Sequence, residues 1–227
     1  MRIHKKKIQY FQNIILEWYR ENGRDFIWRK TPLNDFQVII TEVLLQRTKA
    51  ETVEKFYPSF IKKYETWQDI TASSTETLEE DLKPIGLYRQ RAKRLYSLSL
   101  EMCKLGGKIP ETEDELSKIP MIGQYIANAI LLLIHDKRRP LLDTNMARVL
   151  ERFFGKRKLS DIRYDPYLQN LAGKVVDHEM AKEINWGILD FASAICKSRN
   201  PLCFQCLVNN RCVAFNISTE DYHPPKP

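Results

Sequence analysis

Cys196, Cys203, Cys206 and Cys212 stand in one short stretch with the spacing C-x6-C-x2-C-x5-C. Four thiolates so close in sequence enclose a single metal centre rather than stapling distant parts of a chain. Structural zinc usually takes two C-x2-4-C pairs well apart. Here there is one such pair, Cys203 and Cys206, flanked by single cysteines. Iron–sulfur clusters also take four cysteines, in several spacings, so ligand count leaves zinc and iron–sulfur both open and puts disulfides behind them. Carboxyls supply a second chemistry. Asp143 lies in Leu141-Leu142-Asp143-Thr144-Asn145, directly before a helical pattern from Met146. An aspartate there is a good N-cap, and the helix dipole favours its negative charge. Glu42 sits among Ile39, Ile40, Val43 and Leu44. A carboxyl on a buried helix face has its pKa raised, as proton donation or water activation requires.

Helices must position these groups. Apolar residues recur at helical spacing over 8–18, 36–45, 53–64, 90–105, 127–134, 146–154 and 180–195. Strand-like alternation is absent from the pattern, so the chain is expected to be all-α. Ser117–Pro120 and Asp143–Asn145 read as helix starts, and Gly23, Gly86, Gly106, Gly107, Gly123 and Gly155 punctuate the helices. No repeat array or low-complexity tract interrupts them. The last residues, with Pro224, Pro225 and Pro227, read as a frayed tail.

Composition narrows the partners. The 227 residues suffice for a real core, with 43% hydrophobic residues and a formal net charge of +7; the pI is about 9.1. That balance suits a polyanion, nucleic acid first. The densest basic runs, Lys5–Lys7, Arg89–Arg94 and Lys137–Arg139, read equally as solvated helix faces. No apolar run of about 18 residues is present to span a membrane, and MRIHKKKIQYF lacks the apolar core of a secretory signal. Cysteines without such a signal point to a reducing compartment, here cytoplasmic and nucleoid-associated, and Cys103 reads as a buried structural thiol.

The cysteine spacing resembles the 4Fe–4S loop of the endonuclease III and MutY superfamily of DNA base-excision glycosylases, and the resemblance runs from about Trp18 to Phe215. It implies two helical domains with a cleft between them: a six-helix barrel with a helix–hairpin–helix over 27–137, and a discontinuous domain over 1–26 and 138–227 carrying the cluster loop. The cofactor implied is a structural 4Fe–4S cluster on the four cysteines.

The stretch LSKIPMIGQYIANAILLL resembles the family's helix–hairpin–helix with core L-P-G-V-G. Gly123 matches the second glycine, and Met121 stands where the first would be, a position where positive φ would be strained. The hairpin implies a DNA phosphate held at Ile122, Gly123 and Gln124 by backbone donors at a helix start. Gly86-Leu87-Tyr88-Arg89-Gln90-Arg91-Ala92 looks like the family's G-[FL]-Y-x-x-[KR]-A, with Arg89 at the DNA.

Asp143 matches the family's catalytic aspartate in V-D-x-N/H, where a carboxylate stabilises positive charge developing at the sugar C1′. Bifunctional members carry a lysine at the position of Tyr125; a phenol forms no imine, so a monofunctional enzyme using water is implied, with Tyr125 in the base pocket. Thr41–Thr48 (TEVLLQRT) and Phe26–Arg29 (FIWR) resemble boxes shared by MutY and by the thymine mismatch glycosylases called MIG. They place Glu42 in the base pocket and Gln46, Arg47 and Thr48 at the DNA, with Arg47 inserting into the stack to replace an extruded base. Arg47, Thr144 after the aspartate, and a chain ending soon after the cysteine loop lean towards MIG. The expectation is a monomeric glycosylase releasing thymine or uracil opposite guanine from double-stranded DNA. The alternatives are adenine release opposite guanine or 8-oxoguanine, and a non-catalytic binder of damaged or mismatched DNA.

Overall fold

The computed structural model describes residues 4–220, with side chains to 217. The proline-bearing tail and Met1–Ile3 lie outside the described residues. Among the described residues the chain is helical and contains no β-strand, as the periodicity predicts. The helices are α1 (Lys5–Asn22), α2 (Ile27–Lys30), α3 (Asp35–Leu45), α4 (Ala50–Lys63), α5 (Trp67–Ala72), α6 (Thr75–Leu82), α7 (Tyr88–Lys104), α8 (Glu113–Leu116), α9 (Gln124–Leu133), α10 (Thr144–Phe154), α11 (Pro166–Val176), α12 (Ala181–Ala194) and α13 (Val213–Glu220). Short 3-10 turns at Lys83–Ile85, Cys203–Gln205 and Asn209–Arg211 join them. No described helix is long and apolar enough to cross a membrane.

The chain forms two compact units, one from Asp25–Lys137 and the other from the residues up to Arg24 together with those from Arg138 onward. In the continuous unit, Ile39, Ile40 and Leu44 of α3 pack with Leu78, Leu82, Leu95, Leu98, Ile126 and Ile130. The discontinuous unit is built on α1 and α12. Gly187 lets them approach closely, since a Cβ there would stand 2.9 Å from Ile15 Cγ2. Phe11 lies 4.9 Å from Phe153, ring to ring, closing the core against α10.

Several sequence readings need correction. Ser117–Pro120 starts no helix: Ser117 caps the end of α8, and the next helix begins after Gly123. Pro120 cannot continue α8, and the chain turns through Met121 instead. Cys103 is only partly buried. The basic runs are not uniform solvated faces. Lys7 Nζ donates to the Phe153 carbonyl at 2.9 Å and sits 4.7 Å from that ring's centroid, and Arg91 is buried.

Candidate active site and cysteine loop

α3 starts on a capping box in which Asn34 Oδ1 accepts from the Gln37 amide at 2.9 Å and Gln37 Oε1 accepts from the Asn34 amide at 3.1 Å. Its following turns are apolar nearly all round, and the packing that buries Ile39, Ile40, Val43 and Leu44 carries Glu42 inside with them. Glu42 is 6% exposed, and its Oε2 finds no hydrogen-bond partner in the protein. Burial pushes the Glu42 carboxyl up to about 7. The Arg29 charge and a hydrogen bond with Tyr125 pull the other way and are outweighed. Tyr125 belongs to the first turn of α9, and α9 packs on α3. Beside them Phe26 stacks on Trp28 at 4.7 Å, and Trp28 meets Tyr57 edge-on at 6.1 Å. A buried acid that titrates near neutrality, with one oxygen left to bond, is suited to proton transfer.

Beyond α3 the chain makes a tight turn through Gln46, Arg47 and Thr48. Arg47 is exposed and adopts φ +57°, a left-handed conformation unusual for a non-glycine residue. The α8–α9 hairpin is likewise strained. Met121 takes φ +75°, the conformation expected where glycine would be at ease. Within the turn the Ile122 amide donates to the Ile119 carbonyl and the Gly123 amide to that of Met121, and the Ile122 side chain is buried. Those two amides are thus engaged internally, while α9, from Gln124 on, has neither a side-chain cap nor an acidic residue in its first turn. Such a helix start favours an anion. Arg89 is exposed on α7, with its Nε 3.9 Å from Glu79.

In the discontinuous unit Asp143 caps α10. Its Oδ1 accepts from the Asn145 amide at 2.9 Å and the Met146 amide at 2.7 Å, and its Oδ2 accepts from Asn145 Nδ2 at 2.6 Å. These donors fix the carboxylate's orientation. The chain leading to it is held from α12, where fully buried Asn185 accepts from the Leu141 amide at 2.7 Å and donates to the Arg139 carbonyl at 3.1 Å. On the far side Arg148 donates from Nη1 to Asn145 Oδ1 at 3.1 Å and from Nε to the Cys196 carbonyl at 2.9 Å. A continuous chain of polar contacts therefore joins Asp143 to the first of the four cysteines.

Those cysteines line one cavity of about 180 Å³ whose other walls include Val149, Phe153, Ile195 and Val208. None of the four is in a disulfide. Burial pushes the Cys206 thiol up to about 11, with the neighbouring thiols adding to the rise. Arg152 Nη1 lies 3.5 Å from Cys196 Sγ. Among the described residues no three His, Cys, Asp or Glu converge closely enough to hold one metal ion. The donor set gathered along this cavity, four cysteines and no histidine or carboxylate among the lining residues, is one that an iron–sulfur cluster or a zinc ion would take.

The sequence reading did not assign Arg29, Asn145, Arg148 or Asn185. Arg29 and Asn145 stood inside the quoted motifs, in FIWR and LLDTN, whereas Arg148 and Asn185 take their roles from partners far along the chain, Arg148 from Cys196 and Ala192 and Asn185 from Leu141 and Arg139.

Comparison with known proteins agrees with this layout. The family description "HhH-GPD superfamily base excision DNA repair protein" matches residues 40–174. A thymine-DNA glycosylase of Aeropyrum pernix is 34% identical over 94% of this chain and 98% of its own length. A thymine/uracil-DNA glycosylase of Pyrobaculum aerophilum is 38% identical over 90% and 91%. A solved thermostable thymine-DNA glycosylase superposes with a TM-score of 0.87 at 32% identity, covering 93% of this chain and 98% of the other. The chain therefore belongs to the HhH-GPD superfamily of base excision DNA repair proteins.

Proposed function

We propose that this protein is a monofunctional DNA glycosylase that hydrolyses the N-glycosidic bond of thymine or uracil mispaired with guanine. The observation that carries the reading is the Glu42–Tyr125 pair: a buried acid titrating near neutrality, hydrogen-bonded to a partly buried phenol, at the position where the family resemblance implies a lysine in bifunctional members. The names of the relatives from Aeropyrum pernix and Pyrobaculum aerophilum support the pyrimidine substrate.

In this reading Arg47, exposed on its left-handed turn, fills the space left by the extruded base, which offsets part of the unstacking cost. The first turn of α9 and Arg89 hold backbone phosphates without reading sequence. The Asp143 carboxylate, locked by the Asn145 and Met146 amides, stabilises positive charge at C1′ as the glycosidic bond breaks. A pyrimidine departs as an N1 anion delocalised onto its carbonyl oxygens, so Glu42 serves best as a carboxylate that takes a proton from the attacking water. Tyr125 cannot form a Schiff base, so the abasic strand remains intact. Cys196, Cys203, Cys206 and Cys212 would hold a 4Fe–4S cluster, which would cross-link the loop that follows α12.

Adenine release is the second reading, favoured by one feature: a carboxyl raised to about 7 also suits protonation of a purine leaving group. Single-turnover base release from duplexes carrying T/G, U/G, A/G and A/8-oxoguanine, each with and without alkali, tests the proposal. Release of thymine or uracil, with strand cleavage only after alkali, is expected. Release of adenine alone, or cleavage without alkali, would overturn it, and tight binding without release from any duplex would leave a non-catalytic binder.

A further inference from the structure

α3 ends without a device of its own. Its last turn contains no basic residue and its C-cap is Gln46, followed by Arg47 where a left-handed glycine would commonly close a helix. The carbonyls exposed by that ending lie next to buried residues, so they require partners. Arg91, from the first turn of α7 and only 6% exposed, supplies them. Its Nη1 donates to the Leu44 carbonyl at 2.8 Å and the Val43 carbonyl at 3.2 Å, and its Nη2 to the Gln46 carbonyl at 3.1 Å and Thr48 Oγ1 at 2.8 Å. One guanidinium thus grips the end of the helix that carries Glu42 and both sides of Arg47. Burial lowers the Arg91 pKa, yet an arginine stays charged, and the negative end of α3 is the environment that rewards a cation. Leu87, the N-cap residue of the same helix, is another non-glycine in the left-handed region, with φ +51° and 51% exposure. Arg47, Leu87 and the strained Met121 all border one surface hollow of about 170 Å³ with Arg91 in its wall.

We propose that Arg91 is a positioning residue for base extrusion: it holds the Gln46–Thr48 turn in its left-handed form so that Arg47 is presented outward, and it ties that turn to the Leu87 tip of α7. This rests on the glycosylase reading above. Arg91 touches no reacting atom. Its contribution lies in the step before bond cleavage, so it should matter in proportion to how much work extrusion requires.

The test compares Arg91→Met and Arg91→Lys with the wild type on thymine opposite guanine and on thymine opposite an abasic-site analogue, where extrusion is cheap. Single-turnover rates, DNA affinity and the fluorescence of 2-aminopurine beside the target would be read together. Arg91→Met should lose about ten-fold more rate on the guanine-paired substrate than on the unpaired one, and lose the fluorescence rise that reports unstacking. Arg91→Lys, which keeps the charge but not the fork, should fall between. Equal losses on both substrates would mean that Arg91 supports only the fold and would overturn the proposal. Should Arg91→Met fail to fold, Thr48→Val, which removes one partner of the guanidinium, is judged by the same comparison. A wild type that releases no base from any duplex marks failure of the glycosylase reading instead, before any variant is scored.

Discussion

Glu42 shows how a single buried group links folding to chemistry. Its pKa rises from an ordinary 4.5 to about 7 because burial disfavours the charged form. The folded protein therefore holds a proton that the unfolded chain has released between those values, and stability falls as pH rises through that window. The stabilisation is fully present below about 4.5 and lost above about 7, an effect on the order of 3 kcal/mol. Glu42→Gln should flatten this dependence and leave the variant more stable than the wild type at pH 8, as measured by denaturant midpoints across pH. Through the same window the wild-type rate of thymine release should climb, levelling only above about pH 8 where the Glu42 carboxylate is fully formed, and Glu42→Gln should lack the climb. A rate that instead falls through pH 7 would assign Glu42 as an acid and favour the purine reading. Asp143 offers a cleaner separation, because asparagine caps helices about as well as aspartate. Asp143→Asn should keep the fold and bind DNA while losing at least about a hundred-fold in single-turnover base release; unchanged release would remove Asp143 from the mechanism.

At the scale of elements, α10 connects the aspartate to the cysteine loop. Arg148 bonds Asn145 Oδ1, the Ala192 carbonyl at 3.1 Å and the Cys196 carbonyl. Each such bond to a charged donor contributes about 1.5–3 kcal/mol at most, less where water reaches it. Arg148→Met should therefore loosen Asn145 and with it the Asp143 carboxylate, lowering base release while DNA affinity changes little. Equal loss of affinity and rate would mean that the whole unit had shifted. Elements differ in how far they could be read in advance. The long amphipathic helices α1, α4, α7, α10 and α12 were plain from apolar spacing, as was Asp143 as the cap of α10. α5 and α6 were missed because they are short, though Thr66 and Ser74 cap them through side chains that accept from Asp69 and Thr77. α11 was missed despite Asp165 as its cap and Pro166 in its first turn. Met121 was legible as a strained turn because its neighbours fit a glycine motif. Arg91 and Arg148 were not legible in their roles, since each acts on carbonyls more than forty residues away in sequence and carbonyls leave no trace in residue type.

Across the whole molecule the decisive feature is that one unit is made from both ends of the chain. The polypeptide leaves this unit after Arg24, whose amide and Nε donate to buried Asp190 at 2.8 and 2.7 Å. It returns at Arg138 and is received by Asn185. Both anchors lie on α12, and the cysteine loop begins directly after that helix. A bound cluster would therefore close the end of a unit whose core otherwise depends on pairing α1 with α12 across the length of the chain. Loop closure of this kind stabilises by binding only the folded form. Cys206→Ser should abolish the yellow-brown colour and absorption near about 400 nm expected of a 4Fe–4S protein. It should also lower the unfolding temperature by at least about 4 °C, a loss of roughly 1–2 kcal/mol for a chain of this size. Hydrogen exchange locates the effect: amides of α1, α10 and α12 should lose protection in the variant while those of α3, α7 and α9 keep theirs. A colourless wild type that retains zinc would replace the cluster with a zinc site, and uniform loss of protection in both units would show that the cysteine loop supports the chain as a whole rather than the unit that contains it.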